Sequence, residues 1–415
     1  MSVTDRLASV VLALSIAGYP LIAPISLLFG LENRLVSIPF RVLVLLGSLW
    51  LIADALASSR RFRVSSTWVL WWGFWFLYLA RLSVDSGLNP GELRLPVAEY
   101  WAYAVGMCLV PAVAVAIAGK EHLYECALNY LLVVAVAALL FNFAVLLPDG
   151  GVNGWKGVIA VRQQTETLNP ISLGHVGATV FLIAAWQLTR RERFRSVTLV
   201  LLLVSAAIGL AGAVLGASRG PLVALILTFF LVMASSVRNI GSENWKRIVG
   251  LAIVGGLSGW VISRQIDTLG AIVRLQSALA GGDKSLGVRL ELYVEAFEQF
   301  VESPMLGAGI EPTGFYPHNL VLESFVVFGV LSGLLFSILF IGAVGKGIRL
   351  IYGGSQIGWV GVITLQYAMA GLVSGALYTS TALWCLLGIF VGWSTIVESF
   401  REPLVVVRRG AKHGS

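Results

Sequence analysis

The chain is divided into apolar runs that are each about as long as a helix needs to be to cross a membrane. Such a helix needs roughly 20 apolar residues, and a bilayer leaves the backbone of such a run no partner except its own helix. The sequence therefore predicts an all-α polytopic membrane protein with about twelve transmembrane helices. The runs lie near residues 7–29, 37–57, 66–83, 97–118, 123–147, 171–188, 196–217, 221–237, 248–263, 319–344, 357–377 and 381–399.

The charge of the chain fits this prediction. Only 12% of the residues are charged, whereas about a quarter are charged in a typical soluble domain. The net charge is +7, but most of the Lys and Arg residues lie in alternate connections, as the positive-inside rule requires. The basic excess therefore indicates topology, and no nucleic-acid partner is expected. All three cysteines lie inside apolar runs, so no disulfide framework or metal cluster is predicted.

The same rule orients the chain. The first run is predicted to be a retained helix, with both termini in the cytoplasm. Spans one to nine then occupy residues 1–263, a long outward loop occupies 264–318, spans ten to twelve occupy 319–399, and a cytoplasmic tail occupies 400–415. The positive-inside rule does not account for the basic residues that it places on the outer side. An anionic ligand bound on that side would account for them. These residues are Arg162, Arg219, Arg289 and His318.

The long outward loop contains an amphipathic segment that begins after Gly287. On a helix its apolar residues form one stripe and four glutamates form another, which is typical of a helix at a membrane surface. The apolar stripe comprises Leu290, Tyr293, Val294, Phe297, Phe300 and Val301, and the acidic stripe comprises Glu291, Glu295, Glu298 and Glu302. Arg289 lies at the edge of the apolar stripe, so pairing with the glutamates explains it poorly. The glutamates are interpreted as a solvated face; since the chain also lacks an Asp-X-Asp pair, no metal is expected.

The turn Ser218-Arg219-Gly220-Pro221 begins the eighth apolar run. Proline suits the first turn of a helix, and the unpaired N–H groups at that end favour an anion. Arg219 adds a planar fork of donors that matches phosphate oxygens. Alternatively, Arg219 anchors the helix end to lipid headgroups.

A third candidate group begins the tenth run. His318 and Asn319 stand at the predicted helix start, and Glu323 follows within membrane depth. An ionisable residue in the membrane is a functional candidate. Nearby arginines and a helix N-terminus lower the pKa of an imidazole, which keeps it neutral near pH 7. Arg162 is a weaker candidate, because pairing with Glu166 at i+4 accounts for it equally well.

Together these motifs resemble the bacterial O-antigen ligases, which share a signature region with O-antigen polymerases and protein O-oligosaccharyltransferases. The resemblance covers roughly residues 210–340. It depends on SRGP at 218–221, GVRLELYVEAF around Arg289, PMLGAGI at 304–310 and PHNLVLESFVVFGVLSGLL at 317–335. It implies a fold of the GT-C-like kind, with one long periplasmic loop, in the bacterial inner membrane.

The resemblance also implies the chemistry. The donor would be a glycan on undecaprenyl pyrophosphate, and the acceptor a sugar hydroxyl of lipid A–core. Arg219 and Arg289 would hold the pyrophosphate, and His318 would accept or orient the acceptor proton. Ser218, Gly220, Arg162 and Asn319 would contribute to substrate binding, with Glu323 in support. No cofactor would be needed, because the lipid pyrophosphate is already an activated leaving group.

Three alternatives remain open at the level of sequence. A polymerase would use a second lipid-linked glycan as acceptor, and a protein transferase would use a serine or threonine. A transporter of an anionic lipid is the third alternative. Transporters place ionisable groups near the membrane midplane, whereas the candidates in this chain cluster at the outer rim, which favours surface chemistry.

Overall fold

A computed structural model describes residues 2–58, 65–88, 90, 93–119, 121–146, 170–190, 195–216, 218–237, 284–312, 314 and 316–400. All regular structure in these ranges is helical. The helices are α1 (Val3–Phe29), α2 (Asn33–Ala57), α3 (Ser66–Leu88), α4 (Val97–Ala118), α5 (Glu121–Leu146), α6 (Pro170–Arg190), α7 (Ser196–Leu215), α8 (Arg219–Val237), α9 (Lys284–Glu302), α10 (Leu320–Tyr352), α11 (Gly358–Gly371) and α12 (Thr381–Phe400).

Seven of the described helices are long and apolar enough to cross a membrane, namely α1, α2, α4, α5, α6, α7 and α10. Shorter apolar helices cover Gly220–Ser236 and Thr381–Trp393. The predicted class, an all-helical multi-pass membrane protein, is therefore confirmed. The ninth predicted run, 248–263, lies outside the described residues, so the count of twelve spans stays a prediction.

An aromatic cluster joins three helices that are far apart in sequence. Trp384 of α12 lies with its ring centroid 4.6 Å from that of Trp75 and 5.2 Å from that of Phe74, both on α3. Phe336 of α10 lies 5.4 Å from Phe74. Such rings bury large apolar areas and pair in tilted or edge-on arrangements. The cluster fixes α10, which begins just after His318, against α3 and α12.

Helix α10 is broken in its first third, and the preceding loop packs into the break. Phe328 and Gly329 leave the helical conformation, and Gly329 has a φ of +71°. The amide of Ala308 donates to the carbonyl of Val326 (2.7 Å), and the amide of Val330 donates to the carbonyl of Pro304 (2.8 Å). Non-helical backbone at membrane depth is tolerated when protein groups satisfy it in this way. Two of the motifs that carry the resemblance, PMLGAGI and the block after Pro317, therefore form one structural unit.

Helix α3 holds the same loop from the other side. Arg81 donates to the carbonyl of Ala308 (2.7 Å) and forms an ion pair with Asp85 (2.8 Å). Asp85 in turn accepts from the amide of Ile310 (2.8 Å). Hydrogen bonds to charged groups are among the stronger ones in proteins. The loop is thus fixed by charged side chains before it reaches His318.

The predicted eleventh span, 357–377, was too long. Helix α11 ends at Gly371, and a short 3-10 helix at Leu377–Thr379 precedes α12. The connection is therefore residues 372–380 rather than 378–380. The apolar composition of this segment concealed the break, because its backbone is paired by local turns and, at the amide of Leu377, by Glu323 instead of by a continuous helix.

Candidate active site

A cavity of about 670 Å³ opens among the N-terminal helices, the start of α10 and the segment 372–380. This is within the size range of small-molecule sites. Its lining is mixed: apolar side chains alternate with tyrosines, hydroxyl groups and basic groups. The polar side chains are Ser15, Tyr19, Arg41, Arg94, Tyr103, Ser172, His175, Tyr316, His318, Tyr367, Ser374, Tyr378, Thr379, Ser380 and Thr381.

His318 lines this cavity immediately before α10. Its backbone has a φ of +56°, which is uncommon for a residue other than glycine. Its ring lies 4.4 Å from the ring of Tyr316. The Nδ1 atom makes no hydrogen bond to any described residue. The Nδ1 atom is buried, so it is through the rest of its ring that His318 lines the cavity.

The surroundings of His318 disfavour its charged form. Burial, followed by the charges of Arg289 and Arg94, lowers the pKa of His318 from the usual 6.5 to about 4. The lowered pKa was expected from the sequence, although burial contributes more than either arginine. The imidazole is therefore neutral at pH 7 and can accept a proton.

Asn319 and Glu323 stand at the two ends of the first turn of α10, and the side chain of each accepts hydrogen bonds from backbone amides. The Oδ1 atom of Asn319 caps the helix by accepting from the amides of Val321 (3.1 Å) and Leu322 (3.0 Å). Both carboxylate oxygens of Glu323 accept from the amide of Leu377 at 3.0 Å. These contacts position the start of the helix and the segment 372–380. The role of Asn319 in substrate binding and that of Glu323 in supporting the site stay predictions.

Arg289 lies on the face of α9 that packs against the protein. Partly or fully buried residues share this face: Arg289, Leu292, Tyr293, Ala296, Gln299 and Phe300. The hydroxyl of Tyr293 donates to the carbonyl of Leu372 (3.3 Å), and the ring of Phe300 lies 5.4 Å from that of Phe325. Arg289 is therefore directed inward, close enough to act on the charge of His318.

The predicted apolar stripe of α9 is in fact two stripes. Tyr293 and Phe300 face the protein, whereas a second set is more than half exposed: Leu290, Val294, Phe297 and Val301. The acidic stripe occupies the remaining third of the circumference, since successive residues are about 100° apart. Helix α9 thus presents one face to the protein, one apolar face outward and one acidic face, as expected of a helix at a membrane surface.

The turn around Arg219 packs against the segment 372–380, which contributes to the cavity wall. A Cβ atom on Gly220 would lie 3.5 Å from Val373 and 4.0 Å from Ser374, and Ser374 lines the cavity. Ser218 is buried. Helix α8 begins at Arg219, so its N-terminal end lies next to Ser374. Arg162 lies outside the described residues.

The segment 372–380 is the element that sequence reasoning missed. It contacts the Arg219 turn at Val373 and Ser374, receives Tyr293 of α9 at Leu372, and is held at Leu377 by Glu323. The turn around Arg219, helix α9 and the start of α10 thus all contact this one segment. In the sequence, the small residues of this segment and Gly375 were the signal that the run does not continue as a helix. In the structure, Gly375 has a φ of +97°.

A buried carboxylate supports this segment from behind. Glu311 accepts hydrogen bonds from Tyr378 (2.8 Å) and Tyr100, and its φ of +83° is in the left-handed region. That conformation costs a residue other than glycine about 1–2 kcal/mol, which the two hydroxyl contacts help to offset. Within the described ranges, no three His, Cys, Asp or Glu residues converge in a way that could hold a metal ion.

Two further cavity residues, Arg41 and Arg94, were also not identified as site residues from sequence. The guanidinium of Arg41 lies 4.5 Å from the ring centroid of Tyr103, and that of Arg94 lies 5.6 Å from that of Tyr316. Tyr103 is in a π-helical stretch of α4, Ala102–Leu109. Such stretches are rare and frequently occur at functional sites.

One comparison with known proteins gives a match. Neither a curated protein nor a solved structure matches the chain. A protein-family model described as O-antigen ligase matches residues 204–337, which is less than half of the 415 residues. The match supports an O-antigen ligase- or polymerase-type function. The matched region contains Arg219, Arg289 and His318, and over this region the resemblance to the O-antigen ligase family inferred from the sequence is confirmed.

Proposed function

We propose that this protein is an O-antigen ligase that transfers a glycan from undecaprenyl pyrophosphate to a sugar hydroxyl of lipid A–core. The observation that carries the proposal is the placement of His318. It lines a polar cavity, lies near Arg289 and Arg94, and belongs to the region that matches the family. The reaction would take place at the periplasmic face of the inner membrane, with both termini in the cytoplasm.

In the proposed reaction, the acceptor hydroxyl attacks the anomeric carbon of the donor directly. The new glycosidic bond forms as the bond to the pyrophosphate oxygen breaks, and undecaprenyl pyrophosphate leaves with the bonding electrons. His318 accepts the hydroxyl proton. Arg219 and Arg289 stabilise the negative charge on the leaving group, a contribution worth about 3–4 kcal/mol for a key preorganised donor.

Binding of the donor would also make His318 a better base. Arg289 is one of the charges that lower the pKa of His318, and a bound pyrophosphate would neutralise that charge. The pKa of His318 would then rise, although burial, the larger cause of its lowering, would still hold it below the usual 6.5. A higher pKa makes an imidazole a more effective base near neutral pH. The site would therefore become most basic when the substrate is present.

This coupling predicts a specific pH dependence. For the free enzyme, the acid limb of kcat/KM should lie near pH 4–5, because the pKa of His318 is lowered to about 4. Replacing Arg289 with glutamine removes one of the charges that lower it, so the limb should move to higher pH. The acid limb of kcat, which reports the substrate complex, should lie above that of kcat/KM. A limb near pH 6.5 in both profiles of the wild type would contradict the prediction.

The function is tested first in cells. In a ligase-deficient host with matching core and glycan, the wild type should restore the high-molecular-weight lipopolysaccharide ladder. Arg219→Ala and Arg289→Ala should each lose it while undecaprenyl-linked glycan accumulates, with membrane levels checked by immunoblotting. Normal ladders from both variants would show that these arginines are only topological anchors.

The acceptor distinguishes the proposal from its alternatives within the same superfamily. If purified protein joins two lipid-linked glycans to each other, it is a polymerase. If it modifies serine or threonine in a protein, it is a protein O-oligosaccharyltransferase. Movement of lipid-linked glycan across vesicles without bond formation would instead indicate a transporter.

A further inference from the structure

Two arginines of the cavity are assigned no substrate group in the reaction described above. Arg41 comes from α2 and Arg94 from the segment before α4, and both line the cavity with His318. Each guanidinium is associated with a tyrosine ring. Stacking on an aromatic face orients a guanidinium while its in-plane N–H donors stay available to an anion.

The charge of these two arginines is not neutralised by the cavity wall. Among the described residues that line the cavity there is no aspartate or glutamate, and neither arginine forms an ion pair with a described residue. The carboxylate whose charge acts on Arg94 is that of Glu311, which already accepts hydrogen bonds from two tyrosine hydroxyls. A cavity with two such cations favours an anionic ligand.

The tyrosines of the lining match a saccharide. Five of them line the cavity: Tyr19, Tyr103, Tyr316, Tyr367 and Tyr378. Two of these, Tyr103 and Tyr316, stack with the arginines. A tyrosine presents an apolar face and a polar tip, and a sugar ring presents C–H faces and hydroxyls that match both. The ligand that fits this wall is therefore a saccharide with an acidic group.

The position of His318 assigns this saccharide to the acceptor. In a direct displacement, the attacking hydroxyl approaches the anomeric carbon on the side opposite to the leaving pyrophosphate. Arg289, proposed to hold the pyrophosphate, acts on His318 from α9, and its side chain does not line the cavity. Arg94 acts on His318 from the cavity wall. The hydroxyl that loses its proton to His318 would come from the cavity side.

We propose that Arg41 and Arg94 bind an acidic group, a phosphate or a carboxylate, on the acceptor saccharide. This inference depends on the proposed function and adds the acceptor subsite to it. It needs no covalent step of its own: the two guanidinium groups hold the acceptor in place so that its hydroxyl reaches His318.

The test uses the full-length protein in lipid vesicles, with undecaprenyl-pyrophosphate glycan as donor and lipid A–core as acceptor. Arg41→Gln and Arg94→Gln should each raise the KM for the acceptor by about tenfold, the effect of losing one charge-assisted contact, while the KM for the donor changes by less than about twofold. Arg41→Lys and Arg94→Lys should give intermediate values, because they keep the charge but lose the planar fork.

Arg34→Gln is the matched control. Arg34 is on the same helix as Arg41, is exposed, and pairs with Glu99 at 2.9 Å instead of lining the cavity. Its acceptor KM should equal that of the wild type. A rise in the donor KM for the Arg41 or Arg94 variants, or an unchanged acceptor KM, would overturn the inference.

Modified acceptors identify the acidic group. Dephosphorylated lipid A–core and carboxyl-reduced lipid A–core are compared with the intact molecule. Removing the group that is bound should weaken the wild type by more than about tenfold, because both contacts are lost, and should weaken Arg41→Gln less, since one of the two contacts is already absent. If neither treatment affects the wild type, the subsite does not bind an anion and the inference fails.

Binding without turnover separates this inference from the proposed function. Affinity for lipid A–core in nanodiscs is measured with no donor present. If binding weakens in the Arg41 and Arg94 variants although no transfer occurs, the subsite stands and the proposed reaction fails. If transfer is normal and neither binding nor acceptor KM changes in the variants, the reaction stands and the subsite is wrong.

Discussion

Replacing His318 with alanine should lower the rate of glycan transfer by about 10²–10⁴-fold, the usual contribution of a general base. The residue lines the cavity, its Nδ1 atom is unpaired among the described residues, and its lowered pKa keeps it neutral. The measurement is single-turnover transfer from donor to lipid A–core by purified protein. Imidazole added to the His318→Ala variant should restore part of the rate, since a small base can occupy the vacated space.

The kinetic constants then separate the two roles open to His318. A base acts in the transition state, so its loss should lower kcat with little change in the acceptor KM. A positioning group should mainly raise the acceptor KM, and imidazole should not rescue it. Glu298→Ala is the control, because Glu298 lies on the exposed acidic face of α9. A His318→Ala variant as active as Glu298→Ala would remove His318 from the mechanism.

Replacing Gly177 with leucine should destabilise the protein more than any substitution in the site. A Cβ atom on Gly177 would lie 2.6 Å from the carbonyl oxygen of Gly209, and one on Gly209 would lie 2.8 Å from that of Gly177. Close backbone approach at small residues is what holds membrane helices together. Overpacking costs about 1–3 kcal/mol and occasionally more, and here backbone opposes the new atoms, so we expect about 3 kcal/mol or more.

The effect should be visible in both stability and activity. Thermal unfolding of the detergent-solubilised protein should begin at lower temperature, and less folded protein should reach the membrane. Gly342→Leu is the matched control: Gly342 is also in a helix, but nothing lies within 4 Å of its added Cβ. If both variants melt like the wild type, the contact between α6 and α7 is not as close as the structure has it.

Gly177 also connects stability with the site. A Cβ on Gly174, one turn earlier in α6, would lie 3.0 Å from Pro221 in the turn that begins α8. Forcing α6 away from α7 would therefore move the turn that carries Arg219. We expect any Gly177→Leu protein that still folds to transfer glycan slowly.

Much of the helical framework could be predicted from sequence, because local composition decides it in a membrane. The run predicted at 171–188 is α6, Pro170–Arg190, and the run at 7–29 is α1, Val3–Phe29. The same logic failed at residues 372–380, where an apolar composition accompanies an irregular backbone. That backbone is paired by Glu323 and by neighbouring turns, and hydropathy does not reveal such partners.

The candidate site was only partly predictable. His318, Asn319 and Glu323 could be located because a helix start and a charge within an apolar run are visible in the sequence. Arg41 and Arg94 could not, since each alone resembles an arginine at a membrane interface. Their importance comes from the cavity that they share with His318, and sequence gives no distance between helices.

A helical, multi-pass membrane protein, a likeness to the O-antigen ligases and the residue types available for an anionic substrate all follow from the amino-acid sequence. These properties depend on composition, on helix periodicity and on short motifs, which are local. Three further features follow from the packing of the helices: α9 directs Arg289 inward, the PMLGAGI loop packs into the break in α10, and residues 372–380 contact the Arg219 turn, α9 and the start of α10. These outcomes depend on which helices pack together and how closely, and contacts between residues far apart in the chain control that packing.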